Sequence, residues 1–288
     1  MWSRSLLLAL VLTATLTSVV SAAPVNREQV TARLRAVVQG YSEVVNELDL
    51  NRIPGNIPDY PAVSERLDEL GGQLEGLSRL AGRENLADAD WQQLEEQSAK
   101  AEADLKYLRC QSLPLRVWAY FDANEHEKPE WGLAVDKTMC LLPRFKGTFD
   151  AEATDELLLE GAAGEQKFAQ IIVVPLSKDL REVLVTREQL KGAAGRIPSG
   201  EIKVEPLDYS RIPEALPAEP EWWRGRLLLT KASFPSDMTQ AYIVTVSIPA
   251  LQKPGKYSGR IFFAPANSKP MVIRLSVDVI SKADEVTK

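Results

Sequence analysis

Apolar residues recur every three or four positions through the first third of the chain and every second position through the last third. Val30, Leu34, Val37, Val38, Tyr41, Val44, Val45 and Leu48 lay one apolar stripe along a first helix, for which Asn26 is the predicted cap. Prolines 54, 58 and 61 with Gly55 predict a connection after it, Pro61 opening the next helix. Val63, Leu67, Leu70, Leu74, Leu77 and Ala81 then step by four and three, and Trp91, Leu94, Ser98, Ala101, Leu105 and Leu108 by three and four. These are heptad seams. Gly82 is expected to close the second helix in the left-handed conformation, and Asn85 with Asp88 to open the third, so the two should run antiparallel. Gly71, Gly72 and Gly76 in the second helix predict close approach by a neighbour or local bending. The seams are short, which favours a hairpin or three-helix bundle within the chain, with an oligomerising coiled coil as the alternative.

From Leu113 the helical spacing gives way to prolines and short β-branched or aromatic runs. Strands are predicted at 115–121, 138–142, 168–176, 202–206, 241–248, 256–264 and 271–280. Tyr242, Val244, Val246 and Ile248 alternate with Ile243, Thr245 and Ser247, and the residues of 272–279 alternate likewise, so half-buried antiparallel strands are expected. Helical segments do not separate them, which excludes a parallel α/β architecture. The fold class is therefore α+β in two segments: a helical hairpin or three-helix region, then an antiparallel β-sandwich. The expected boundaries are a leader at 1–22, a helical region at 23–110, a sandwich at 111–281 and a polar tail at 282–288.

The leader reading rests on Arg4, the uncharged run from Ser5 to Val20, and the small residues Ser21, Ala22 and Ala23. That order is the pattern of an export signal cut after Ala22, and the run is shorter than a bilayer needs. The expectation is an exported, periplasmic or extracellular protein without a stable membrane anchor. In that compartment the two cysteines, Cys110 and Cys140, are expected to form a disulfide, whose loop closure would add about 3–4 kcal/mol.

Charge and composition narrow the function. Lys and Arg number 34 against 40 Asp and Glu, for a net charge of −6, and the leader's one charge is positive. Phosphate-binding surfaces need the opposite balance, so a nucleic-acid partner is not expected. One histidine and two cysteines give little from which to build a metal centre, and no cofactor or metal is expected. His126 sits in a polar run and is read as a loop residue. Asp150, Glu152, Asp155 and Glu156 lack the spacing and glycine of a calcium loop and are read as a solvated acidic loop. Trp222 and Trp223 follow a proline-rich stretch. If they enter a strand, they point to opposite faces, one into the core and the other outward, where an indole can stack on a sugar; the alternative, which is favoured, is that both cover the edge of the core. They are the candidate ligand contacts; no catalytic residue is assigned.

The stretch from Leu157 to Leu176, with its Ala-Gly-Glu turn and its Phe168 leading into an apolar strand, resembles the N-terminal β-sandwich of bacterial family 123 glycoside hydrolases. Lys178 to Val183, Ile243 to Pro249, and the Pro-Gly-Lys-Tyr-Ser-Gly run from Pro254 to Gly259 follow in the same order as in that family. The resemblance implies a sandwich that in the family precedes a barrel, where an adjacent Asp-Glu pair cleaves N-acetyl-galactosaminides with help from the substrate's acetamido group. Asp155-Glu156 and Asp284-Glu285 fall in a loop and the tail, and no catalytic role is carried onto them. The expected function is a non-catalytic exported module that binds a glycan or a partner protein. The alternatives are an enzyme with an unrecognised site and a structural envelope protein acting through its helices, which could also oligomerise it.

Overall fold

The computed structural model describes residues 25–48, 60–123, 129–136, 151–211, 222–228, 231–236 and 238–281, together with Ile53 and Ile57. The leader, Cys140, His126, Asp150, the predicted strand at 138–142 and the tail lie outside the described residues. Helices α1 (Arg27–Leu48), α2 (Tyr60–Ala81) and α3 (Asp88–Gln111) follow the predicted stripes; the seam residues of α2 and α3, Trp91 and Ala81 apart, are buried, while in the α1 stripe Val38 and Tyr41 are half-buried and Val45 is exposed. Asn26 caps α1, its side-chain oxygen accepting from the Gln29 N–H at 3.1 Å. The glycine expected to sit against a neighbour does so: a Cβ on Gly71 would lie 2.5 Å from the Tyr41 hydroxyl, which donates to the Leu67 carbonyl at 3.1 Å. Gly72 and Gly76 face open space. Gly82 is not left-handed. That conformation falls to Asn85 (φ 58°), whose short polar side chain tolerates it, and Asp90 accepts from the Ala87 N–H to start α3.

The predicted strand at 115–121 is instead a helix, α4 (Leu113–Ala123). Short apolar runs do not separate the two periods. Here Pro114 fits a first turn, and Val117, Trp118 and Phe121 recur at helical spacing on a buried side. Arg116, 5% exposed, donates to the Arg109 carbonyl at 2.8 Å and faces Glu47 at 3.7 Å, tying α4 to α3 and α1.

The strands are β1 (Trp131–Asp136), β2 (Glu152–Ala153), β3 (Glu156–Ala162), β4 (Gln166–Pro175), β5 (Leu180–Arg187), β6 (Leu190–Gly192), β7 (Gly195–Ile197), β8 (Ile202–Pro206), β9 (Ala232–Phe234), β10 (Gln240–Ser247), β11 (Gly255–Ala264) and β12 (Met271–Ile280). One sheet runs β2-β1-β4-β10-β8. The other runs β3-β12-β11-β5-β9, with β6 and β7 attached to β11. All pairs are antiparallel except β3 with β12, which is parallel, so the second sheet is mixed.

Tyr242 of the first sheet and Phe263 of the second meet edge to face at 5.2 Å, which fixes the inner faces. By register, Leu133, Ile171 and Val244 share that inner side with Tyr242, while Gly132, Val174 and Ile172 look the other way. The outward side is covered too, by α4 over β1 and β4 and by Tyr209 and Trp223 toward β10. Strand β10 is therefore buried on both faces, unlike the half-buried strand expected, whereas β12 alternates as predicted. The buried apolar residues of bundle and sandwich form one continuous cluster.

Gly132 lets α4 approach. A Cβ there would collide with Val117 Cγ1 and stand 2.8 Å from Phe121 Cδ2. Gly132→Ala is expected to lower stability by about 1–3 kcal/mol, as overpacking does, with α4 pushed off the sheet. A denaturant midpoint equal to that of the parent protein would contradict this packing.

Two of the turns at which the chain changes sheet touch each other. Between β3 and β4, Gly164 is left-handed (φ 90°), and Glu165 accepts from the Ala162 N–H at 2.8 Å. Gly164 N–H donates to the Ile248 carbonyl, and Ile248 N–H to that of Glu165. Ile248 begins the second crossing, which ends at Gly255 (φ 137°) and at Tyr257, a fully buried residue whose hydroxyl donates to the Lys253 carbonyl at 2.7 Å. A tyrosine bonded to backbone a few residues upstream at a sheet change is a corner device of β-sandwiches. The Ala-Gly-Glu and Pro-Gly-Lys-Tyr runs are thus both crossing turns.

Candidate functional site

The predicted tryptophans lie in a 3₁₀ turn (Trp222–Arg226), not a strand, so strand alternation does not apply to them. Trp223 is 4% exposed and meets Phe168 edge to face at 5.2 Å, which makes its indole part of the core. The side chain of Trp222 lies outside the described residues. Among the described residues, the exposed large aromatic is Tyr107, on α3 and beneath the Arg66 guanidinium.

The acidic stretch is not simply solvated. Asp155 accepts from the Tyr120 hydroxyl at 2.8 Å and from Arg274 at 3.2 Å, and Glu156 pairs with the same arginine at 2.9 Å. Burial, and then this bond to Asp155, raise the Tyr120 phenol above its ordinary range. The pair is a strut between α4, β3 and β12. No cluster of metal-ligating side chains occurs among the described residues. Cys110 ends α3 and is partly exposed; its predicted partner, Cys140, is outside the described residues.

A concave site that the sequence reading missed opens between the sheets, where β8 edges the first sheet and β5 lies beside β9 in the second. It holds about 350 Å³ and is walled by Val183, Val185, Val204 and Leu228. Arg187, Lys203, Glu205 and Lys231 complete its lining, with Tyr242 from β10. Tyr242 is 1% exposed, and its hydroxyl, buried, has no hydrogen-bond partner among the described residues. Burial pushes its phenol far up, so it stays a neutral donor. The one signal in the sequence was a hydroxyl in an otherwise aliphatic inward row, Tyr242, Val244, Val246.

A hydroxyl buried without a partner costs about 1–3 kcal/mol, so Tyr242→Phe is expected to stabilise the protein by up to that amount. A fall in the melting temperature of the variant would show that the hydroxyl already has a partner within the protein.

No protein-family model matches the chain, and no curated protein matches it. Among solved structures, a family 123 glycoside hydrolase from Clostridium perfringens matches at 16% identity and a TM-score of 0.39, over 53% of this chain and 27% of that one. PapD-like domain 7 of human CEP192 matches at 10% identity and a TM-score of 0.29, over 44% of this chain and 82% of that one. The sialic acid binding region of a Streptococcus sanguinis adhesin matches at 11% and 0.24, over 45% of this chain and 28% of that one. The chain thus spans about a quarter of the glycoside hydrolase it resembles. At scores this low the likeness is one of partial fold, and function rests on the chain's own residues.

Proposed function

We propose that the protein is an exported, non-catalytic β-sandwich module, related to the family 123 sandwich, that binds a glycan in the cleft between β5 and β8. The observation that carries this reading is the buried, unpartnered Tyr242 hydroxyl at a concave site with aliphatic walls and a few polar groups, the usual make-up of a small-molecule site. Glycoside hydrolysis uses two carboxylates flanking the bond, and Glu205 is the one carboxylate among the lining residues. Asp155 and Glu156 are engaged by Arg274, which supports a structural part for them. Export adds cleavage after Ala22 and a Cys110–Cys140 bridge.

The test is a glycan array probed with the mature protein, alongside turnover assays on N-acetyl-galactosaminide and N-acetyl-glucosaminide substrates. Retention on the array without turnover is expected. Hydrolysis that disappears in Glu205→Gln would replace this reading with the enzymatic one. N-terminal sequencing and thiol labelling of unfolded, unreduced protein check the leader and the bridge.

A further inference from the structure

We propose that the ligand of the cleft between β5 and β8 is an acidic sugar, its carboxylate held by Arg187 and Lys203 and its ring lying against the aliphatic walls within reach of the Tyr242 hydroxyl. This rests on the binding reading above and adds the ligand's chemistry. The chain carries a net charge of −6, yet the cleft is lined by three cations and one carboxylate. Such a reversal of sign concentrates anions at the cleft.

Two of these three cations, Arg187 and Lys203, have no ion pair among the described residues. On the outer side of the second sheet, Arg260 is held bidentately by Glu188, and Arg274 by Asp155 and Glu156. Arg187 instead gives its Nε–H to the Ser199 carbonyl at 3.2 Å, a contact that holds the side chain. Its terminal nitrogens have no ion pair among the described residues, and these form the edge that a carboxylate accepts in a fork. Lys203, exposed on the edge strand β8, stands opposite Thr245 in register, on the other side from Val204, so it lines the cleft from its rim; it also has no ion pair among the described residues. Lys231 already contacts Glu182 at 3.0 Å and serves as a screened rim charge.

A carboxylate alone would not use the rest of the site. Val183, Val185, Val204 and Leu228 offer the apolar surface on which the C–H face of a pyranose packs. Tyr242, kept protonated, supplies a donor to a ring hydroxyl or carboxylate oxygen. A sugar acid satisfies cations, walls and hydroxyl together.

The experiment is calorimetry at low salt with the full mature chain and three probes: trigalacturonic acid, its neutral methyl ester, and citrate. The expected result is binding of trigalacturonic acid, at least tenfold weaker binding of the ester, and an affinity that falls as salt rises. Lys203→Gln and Tyr242→Phe should each weaken binding about tenfold, the loss of one good contact, while neither lowers the melting temperature. Equal binding of the ester overturns the acidic ligand and leaves the glycan-binding reading standing. Equal binding of citrate overturns the sugar. Unchanged affinity in both variants removes the ligand from this cleft, and no binding of any saccharide, here or on the array, defeats both readings.

Discussion

Replacing Trp131 by alanine is expected to lower the free energy of unfolding by about 3–5 kcal/mol, a large share of what a domain of this size has to lose. Trp131 is 1% exposed at the start of β1, and its indole N–H donates at 3.1 Å to the carbonyl of Lys269 in the connection between β11 and β12. One side chain thus fills the space between the sheets and fastens a loop of the second to a strand of the first. Trp131→Phe should recover part of the loss, since it keeps much of the volume and gives up the bond. Urea titration of the three proteins separates the contributions. A deficit below about 1 kcal/mol for the alanine variant would mean that the site closes over the cavity.

The second large effect is expected at Trp223. Its indole packs on Phe168 on the outward side of the first sheet, with Arg224 over the same phenylalanine ring at 5.3 Å. Trp223→Ala should therefore cost about 3–5 kcal/mol of stability. Affinity for a saccharide, measured at a temperature where the variant is folded, should not change. An alanine variant as stable as the parent protein but deficient in binding would return Trp223 to the role of ligand contact.

The three helices were legible because a 3.6-residue period over twenty positions leaves little choice, and the Asn26 cap supplied a start. Strands β8, β11 and β12 were legible through alternation and turn residues. The errors share one physical cause. Leu113 to Phe121 is a short apolar run that either period can accommodate, and packing on Gly132 decides in favour of helix. That helix covers the outward face of β1 and β4, and Tyr209 and Trp223 complete the cover toward β10, which is why a strand read as half-buried is buried on both sides. Strand β5 escaped notice because its two buried residues, Leu180 and Val183, are three apart, the two-residue period being broken by a bulge against β9 where Glu182 takes a positive φ. The Tyr242 cleft was beyond the sequence because it exists only where β5 and β8, distant in the chain and in different sheets, come together.

The parallel pairing of β3 with β12 has a consequence for the order of events in folding. Glu156 to Ala162 aligns with Arg274 to Ile280, so the first strand of the second sheet waits for the last strand of the chain. Until β12 is available, β3 has no neighbour, and Leu157, Leu158 and Leu159 present an unpaired, aliphatic edge. Contacts this far apart close slowly because the loop entropy must be met before they contribute. The nascent chain therefore cannot complete its sandwich while its C-terminal strand is still being synthesised. A lesion in the last twenty or so residues would expose an adhesive edge far upstream, so aggregation would betray it sooner than any loss of binding.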